Sequence, residues 1–134
     1  MEDNISLPNE FMNIQFFQTK IFFQMMFHGE EYKIIGKDDV GNFIGLSLDK
    51  QVFLLDIFDE STVYISKTIE AFLEEIEIYQ QYSKIQLPDN LSDEELKERE
   101  ASFKELLMQV DDTVCRDEKT YWSYIVEEIG YGII

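Results

Sequence analysis

Nucleophilic catalysis by a serine or cysteine calls for a base beside it, and this chain offers one histidine, His28, and one cysteine, Cys115. They stand far apart in sequence, and neither lies in a recognisable nucleophile motif. One Cys and one His also fall short of the nitrogen- and sulfur-rich ligand set of structural zinc. Carboxylates are the abundant chemistry. Asp38-Asp39 and the run Asp56 to Glu60 are the candidates for a hard cation, yet neither has the ligand spacing of an EF-hand loop. Paired acids do acid-base work when burial drives their pKa values apart. Here nearly all of them fall on expected helix faces or turns, where a solvated charge is the default. Gly36, Gly41 and Gly45 lack the spacing and following helix of a dinucleotide fingerprint and read as turn and strand residues. The sequence therefore points away from an enzyme, with no catalytic residue, no metal site and no cofactor assigned.

What the acids do imply is a kind of partner. Asp and Glu number 28 against 11 Lys and Arg, a formal net charge of -17. Such a chain repels phosphate backbones and anionic membranes, so a basic protein is the favoured partner and direct nucleic-acid binding is not expected. The aromatics lack the basic neighbours that a base-stacking surface needs. A single cysteine excludes an intrachain disulfide and reads as a structural thiol. Glu2, Asp3 and Glu10, with no basic residue before position 11, are the opposite of a signal-peptide start. The run Phe11 to Phe27 is too polar for a bilayer span. The expected location is the cytoplasm.

The elements that must position these residues can be read from pattern. The length and the 45% hydrophobic, 14% aromatic composition suit one domain over residues 1–134. Residues 11–28 hold eleven apolar side chains and no acid, so they belong to a core or an interface; their alternation favours extended structure. Tyr32 to Ile35 reads as a strand ended by Gly36. Asn42 to Leu48 and Gln51 to Leu55 flank an Asp49-Lys50 turn, and Thr62 to Ile65 adds a further strand. Ile69, Phe72, Leu73, Ile76 and Tyr79 then recur at helical spacing, with Ser66 as the expected cap. Pro88-Asp89-Asn90 breaks that helix. Ser92 with Glu95 forms a capping box for a second one, whose expected buried stripe is Leu96, Phe103, Leu106, Leu107 and Val110. A third helix is expected from about Asp117 to Ile129, with Gly130 as its stop. Strands followed by helices predict an α+β fold: an antiparallel β-sheet of four to six strands packed against C-terminal helices.

Three stretches carry a likeness. YKIIGKDDVGNFIGLSLDKQVFLLD, STVYISKTIEAFLEEIEIYQQY and DEKTYWSYIVEEIGYG, in that order, resemble the SUKH superfamily of bacterial immunity proteins, in the branch that ends in a Trp-containing helix. The shared pattern is a strand ending in Gly, an Asp- and Gly-containing turn, an apolar hairpin, a further strand, and a helix with the Phe72-Leu73 pair. The amino-terminal third departs from it, lacking the opening helices of many members.

The resemblance implies a small cytoplasmic antidote that binds and neutralises a cognate polymorphic toxin, with nucleases among the toxin classes. It implies no catalytic residue. Other members act as non-enzymatic regulators or scaffolds, which is the alternative reading. A nuclease presents a basic cleft for phosphates, and an acidic protein suits that cleft. The expected partner-binding residues are Asp38, Asp39, Asp56, Asp59 and Glu60 on turns of the sheet, and Glu74 and Glu77 on the first helix; Asp93, Glu94, Glu95 and Glu98 offer a second acidic face. Whether the chain is a monomer or a homodimer stays open, because an exposed strand in the Phe- and Met-rich segment would seek a second strand.

Overall fold

A computed structural model describes residues 7–85, 87–88 and 90–132. Glu2, Asp3 and Asp89 lie outside them. Seven strands are followed by three helices. The strands are β1 (Glu10–Phe11), β2 (Ile14–Phe16), β3 (Phe23–Phe27), β4 (Glu30–Asp38), β5 (Phe43–Leu46), β6 (Val52–Asp56) and β7 (Ser61–Ser66). The helices are α1 (Ile69–Ser83), α2 (Asp93–Val110) and α3 (Tyr121–Gly130). The fold is α+β, with one strand more than the expected four to six. The added strands come from the segment 11–28, which is extended as its alternation indicated except for a 3-10 turn at Thr19–Ile21.

All pairings are antiparallel, in the order β1-β2-β4-β5-β6-β7, with β3 also on β4. Strand β4 is long enough to carry two neighbours end to end on one edge. Strand β2 pairs with its Gly36–Asp38 end and β3 with its Glu30–Ile34 end. The expected stop at Gly36 does not occur. A Cβ on Gly36 would lie 2.7 Å from the Gln15 carbonyl oxygen, so the missing side chain is what lets β2 approach. Gly36→Ala is expected to cost about 1–3 kcal/mol by overpacking. Thermal melts read this, and an unchanged melting temperature would contradict the close approach.

Two apolar layers flank the sheet. The larger joins Ile35, Ile44, Val52 and Ile65 to Phe72 and Ile76 of α1, Phe103 and Leu107 of α2, and Trp122, Ile125 and Ile129 of α3. Trp122 is its aromatic centre, with ring centroids of Phe11, Phe72, Phe103 and Tyr121 at 5.9, 6.3, 6.2 and 5.6 Å. The smaller gathers Tyr32, Ile34 and Leu55 with Phe17, Met25, Phe27, Phe43 and Phe53, and alternation places it on the sheet's other face.

Several local expectations need correction. The β5–β6 turn is longer than Asp49-Lys50: Ser47 and Gln51 close it, Lys50 takes φ 65°, and Leu48 is exposed. Thr68, not Ser66, caps α1, accepting from the Ala71 amide at 3.0 Å. Ser66 is buried in β7 instead. The capping box of Ser92 and Glu95 forms as read. Leu106 is exposed, while Phe103 and Leu107 carry the buried side of α2. Helix α3 starts only at Tyr121, because Thr120 supplies its cap and Asp117 closes a turn on the Lys119 amide.

Candidate functional site

Among the turn acids, Asp38 and Asp39 are adjacent in sequence and opposite in role. Asp38 is buried: one oxygen accepts from the amides of Val40 (3.0 Å) and Asn42 (2.8 Å), the other from the Asn42 side-chain amide (3.1 Å). Its lone pairs are occupied in shaping the β4–β5 turn. Asp39 is exposed and accepts from the Asn13 side chain at 3.0 Å.

Asn42 then reaches across. Its side-chain oxygen accepts from the Ile57 amide at 3.0 Å, which ties the β4–β5 turn to the β6–β7 turn at the same end of the sheet. Asp56, half-buried, accepts from the Asp59 amide at 3.0 Å, and Glu60 holds φ 54°. The result is one sheet end where exposed Asp39, Asp59 and Glu60 stand among apolar side chains. Phe58 is 80% exposed and Val40 58%, with Ile57 and Met12 also in solvent. An exposed apolar cluster rimmed by polar side chains is a pattern that interaction surfaces share.

Glu74 and Glu77 are exposed on α1, a different element, with Glu77 bordering a groove shared with Leu7, Pro8 and Lys84. Asp93, Glu94 and Glu95 occupy the first turn of α2, where they complement the helix dipole.

No protein-family model, curated protein or solved structure matches this chain.

Sequence reasoning missed two acids in the interior. Glu75 is 0% exposed; it accepts from the Trp122 indole N–H at 2.8 Å and lies 2.9 Å from the Ser66 hydroxyl. Burial pushes its pKa up to about 8, opposed by those two hydrogen bonds and reinforced by the charges of Asp111 and Glu74. Asp111, also buried, lies 3.5 Å from the same Ser66 hydroxyl. It accepts from the Lys67 amide (2.8 Å), the Tyr64 hydroxyl (3.0 Å), and the Thr113 amide (2.9 Å) and hydroxyl (2.6 Å). Burial raises its pKa, but these hydrogen bonds outweigh that and hold it below the usual value. Two acids thus share an interior with their pKa values pushed in opposite directions. The Ser66 hydroxyl stands between them, donating to Glu75 at 2.9 Å with Asp111 at 3.5 Å on its other side.

With no exposed surface, Glu75 has no route to a substrate, and the pair acts as a tie between β7, α1, α3 and the α2–α3 connection. A signal for Glu75 did exist: three residues after Phe72 and four before Tyr79, it falls on the apolar stripe of α1.

His28 sits in the β3–β4 turn against the Phe27 ring, at 4.4 Å. Cys115, in the α2–α3 connection, is half-buried, and burial raises its pKa. Among the described residues no group of three or more His, Cys, Asp and Glu could hold a metal ion, and no helix is long and apolar enough to cross a membrane.

Proposed function

We propose that this chain is a SUKH-type immunity protein: a non-enzymatic, cytoplasmic antidote that binds a basic polymorphic toxin, a nuclease being the class its charge suits best. The observation that carries the reading is the sheet end where Asn42 ties two turns together and Asp39, Asp59 and Glu60 ring exposed Phe58, Val40 and Ile57. Apolar side chains supply contact area, while carboxylates steer a cationic target and fix its orientation. A net charge of -17 extends that steering beyond the contact itself. Asp38 contributes by holding the turn, Asp56 by bracing its neighbour, and Glu74 and Glu77 by adding to the field from α1.

Co-expression with the product of an adjacent toxin gene tests the reading. Survival is expected with the parent chain. Reversing three charges, as Asp39→Lys, Asp59→Lys and Glu60→Lys together, is expected to weaken toxin binding on the order of 100-fold or more. Reversing exposed Glu105 and Glu118, which belong to neither acidic face, is expected to leave survival unchanged. Survival no better with the parent chain than without it removes the proposal for that toxin.

A further inference from the structure

The described part of the sheet has two kinds of edge. At β7 the α2–α3 connection closes in: the Lys67 amide is taken by Asp111, and the Arg116 guanidinium lies 4.2 Å from the Tyr64 ring centroid. At the other side β3 pairs, among the described residues, with β4 alone. Native edges are normally guarded by a charge, a proline or a bulge. Strand β3 reads Phe-Gln-Met-Met-Phe, without charge or proline, in unbroken register with β4. Its side chains are unusually open, with Met26 62% and Phe23 41% exposed.

The register says which backbone groups are free to pair. His28 and Gly29 have φ of 51° and 80°, both positive, as a two-residue type I′ turn requires. Such a turn makes Phe27 and Glu30 a hydrogen-bonded pair, and alternation makes Met25–Tyr32 and Phe23–Ile34 hydrogen-bonded pairs as well. The amides and carbonyls of Gln24 and Met26 therefore point away from β4, toward the open edge.

We propose that this edge is a homodimer interface, with β3 of one copy pairing antiparallel to β3 of a second about a two-fold axis at Met25. In that register Gln24 faces Met26 of the second copy, so the outward groups of both bond reciprocally. Met25 faces itself at a non-hydrogen-bonded site, and Phe23 faces Phe27 of the second copy on the face already lined by Phe17 and Phe43.

Charge selects this partner. Two copies of a chain at -17 repel over most of their surfaces, whereas residues 11–28 hold no acid. Antiparallel pairing also sets the Lys20 end of one copy against the Glu30-Glu31 end of the other, opposite signs at both ends of the contact. The inference stands apart from the proposed antidote role, since it concerns another side of the molecule and its test involves no toxin.

Sedimentation velocity over a range of micromolar concentrations, with salt added to screen repulsion, is expected to show a dimer. Gln24→Pro removes an amide that β4 does not use, and by symmetry two hydrogen bonds between copies, so dissociation is expected to strengthen roughly 10- to 100-fold. In a Cys115→Ala background, Met25→Cys is expected to cross-link on mild oxidation, because non-hydrogen-bonded partners lie at disulfide distance. Thr62→Cys on β7 is expected not to. Far-UV circular dichroism establishes that each variant is folded. A parent chain that is monomeric at every concentration overturns the proposal. So does a dimer that folded Gln24→Pro leaves unweakened, or one whose Met25→Cys form does not cross-link.

Discussion

Glu75→Gln is expected to make the protein more stable than its parent above neutral pH and about equally stable near pH 4.5, the ordinary value for a glutamate. The reason is the buried environment of Glu75, which holds its proton up to about pH 8. Below the unfolded value both states are protonated, and the group contributes fully to stability. As pH rises toward 8 the unfolded chain releases this proton while the folded one keeps it, so folding becomes progressively less favourable. The cost levels off once the folded state also ionises. Between pH 5 and pH 7.5 the parent should lose roughly 3 kcal/mol through this one group. Glutamine keeps an oxygen for the Trp122 N–H and, with the Ser66 hydroxyl proton turned toward Asp111, offers the Ser66 oxygen an N–H, but has nothing to ionise. Other acids also lower stability as they charge, so the informative quantity is the difference between the two melting curves against pH. Parallel curves for parent and variant would mean that Glu75 is not held neutral.

Asp111→Ala carries the second large effect, with the opposite pH dependence. The folded pKa of Asp111 lies below its unfolded value, so its contribution is present above the unfolded value and disappears as acid titrates the folded carboxylate. Removing the side chain takes the acceptor from the Lys67 and Thr113 amides and leaves the Tyr64 and Thr113 hydroxyls, 2.7 Å apart, with one acceptor fewer for their two protons. Each buried unsatisfied donor costs about 1–3 kcal/mol, so a total near 3–5 kcal/mol is expected, a large share of a typical domain's stability. Urea unfolding at pH 7 reads it directly, and a loss below about 1 kcal/mol would show that these donors find water instead. The effects of Asp111→Asn and Glu75→Gln should not add, because removing the Asp111 charge relieves the repulsion that helps keep Glu75 protonated.

The difference between these acids and the rest marks where sequence reading stops. The meander from β4 to β7, the extended amino-terminal segment and the capping box at Ser92 all follow from periods and caps within a few residues of each other. Glu75 obeyed the same local rule, since it lies on the apolar stripe, but its chemical type argued for solvent. Its decisive partner, Trp122, is 47 residues away. Strand β4 runs through Gly36 for a similar reason: the residue that needs the space is Gln15, on a strand whose pairing no local pattern announces. At the end of the sheet that carries Asp39 and Phe58, the acidic turns were legible as turns. Which of Asp38 and Asp39 faces solvent depends on the single residue of offset that places Asp38 within reach of the Val40 and Asn42 amides. The link from Asn42 to Ile57, which makes two turns into one surface, joins residues fifteen apart through a side-chain amide that any loop could contain.

The position of Trp122 gives the molecule a built-in optical gauge. It is the only tryptophan among 134 residues, fully enclosed, with Tyr79 and Tyr121 close enough to pass excitation to it. Its indole N–H touches the one buried acid expected to change charge near pH 8. Emission from a single unlabelled fluorophore should therefore track both the opening of the core and, within the intact protein, the departure of one proton.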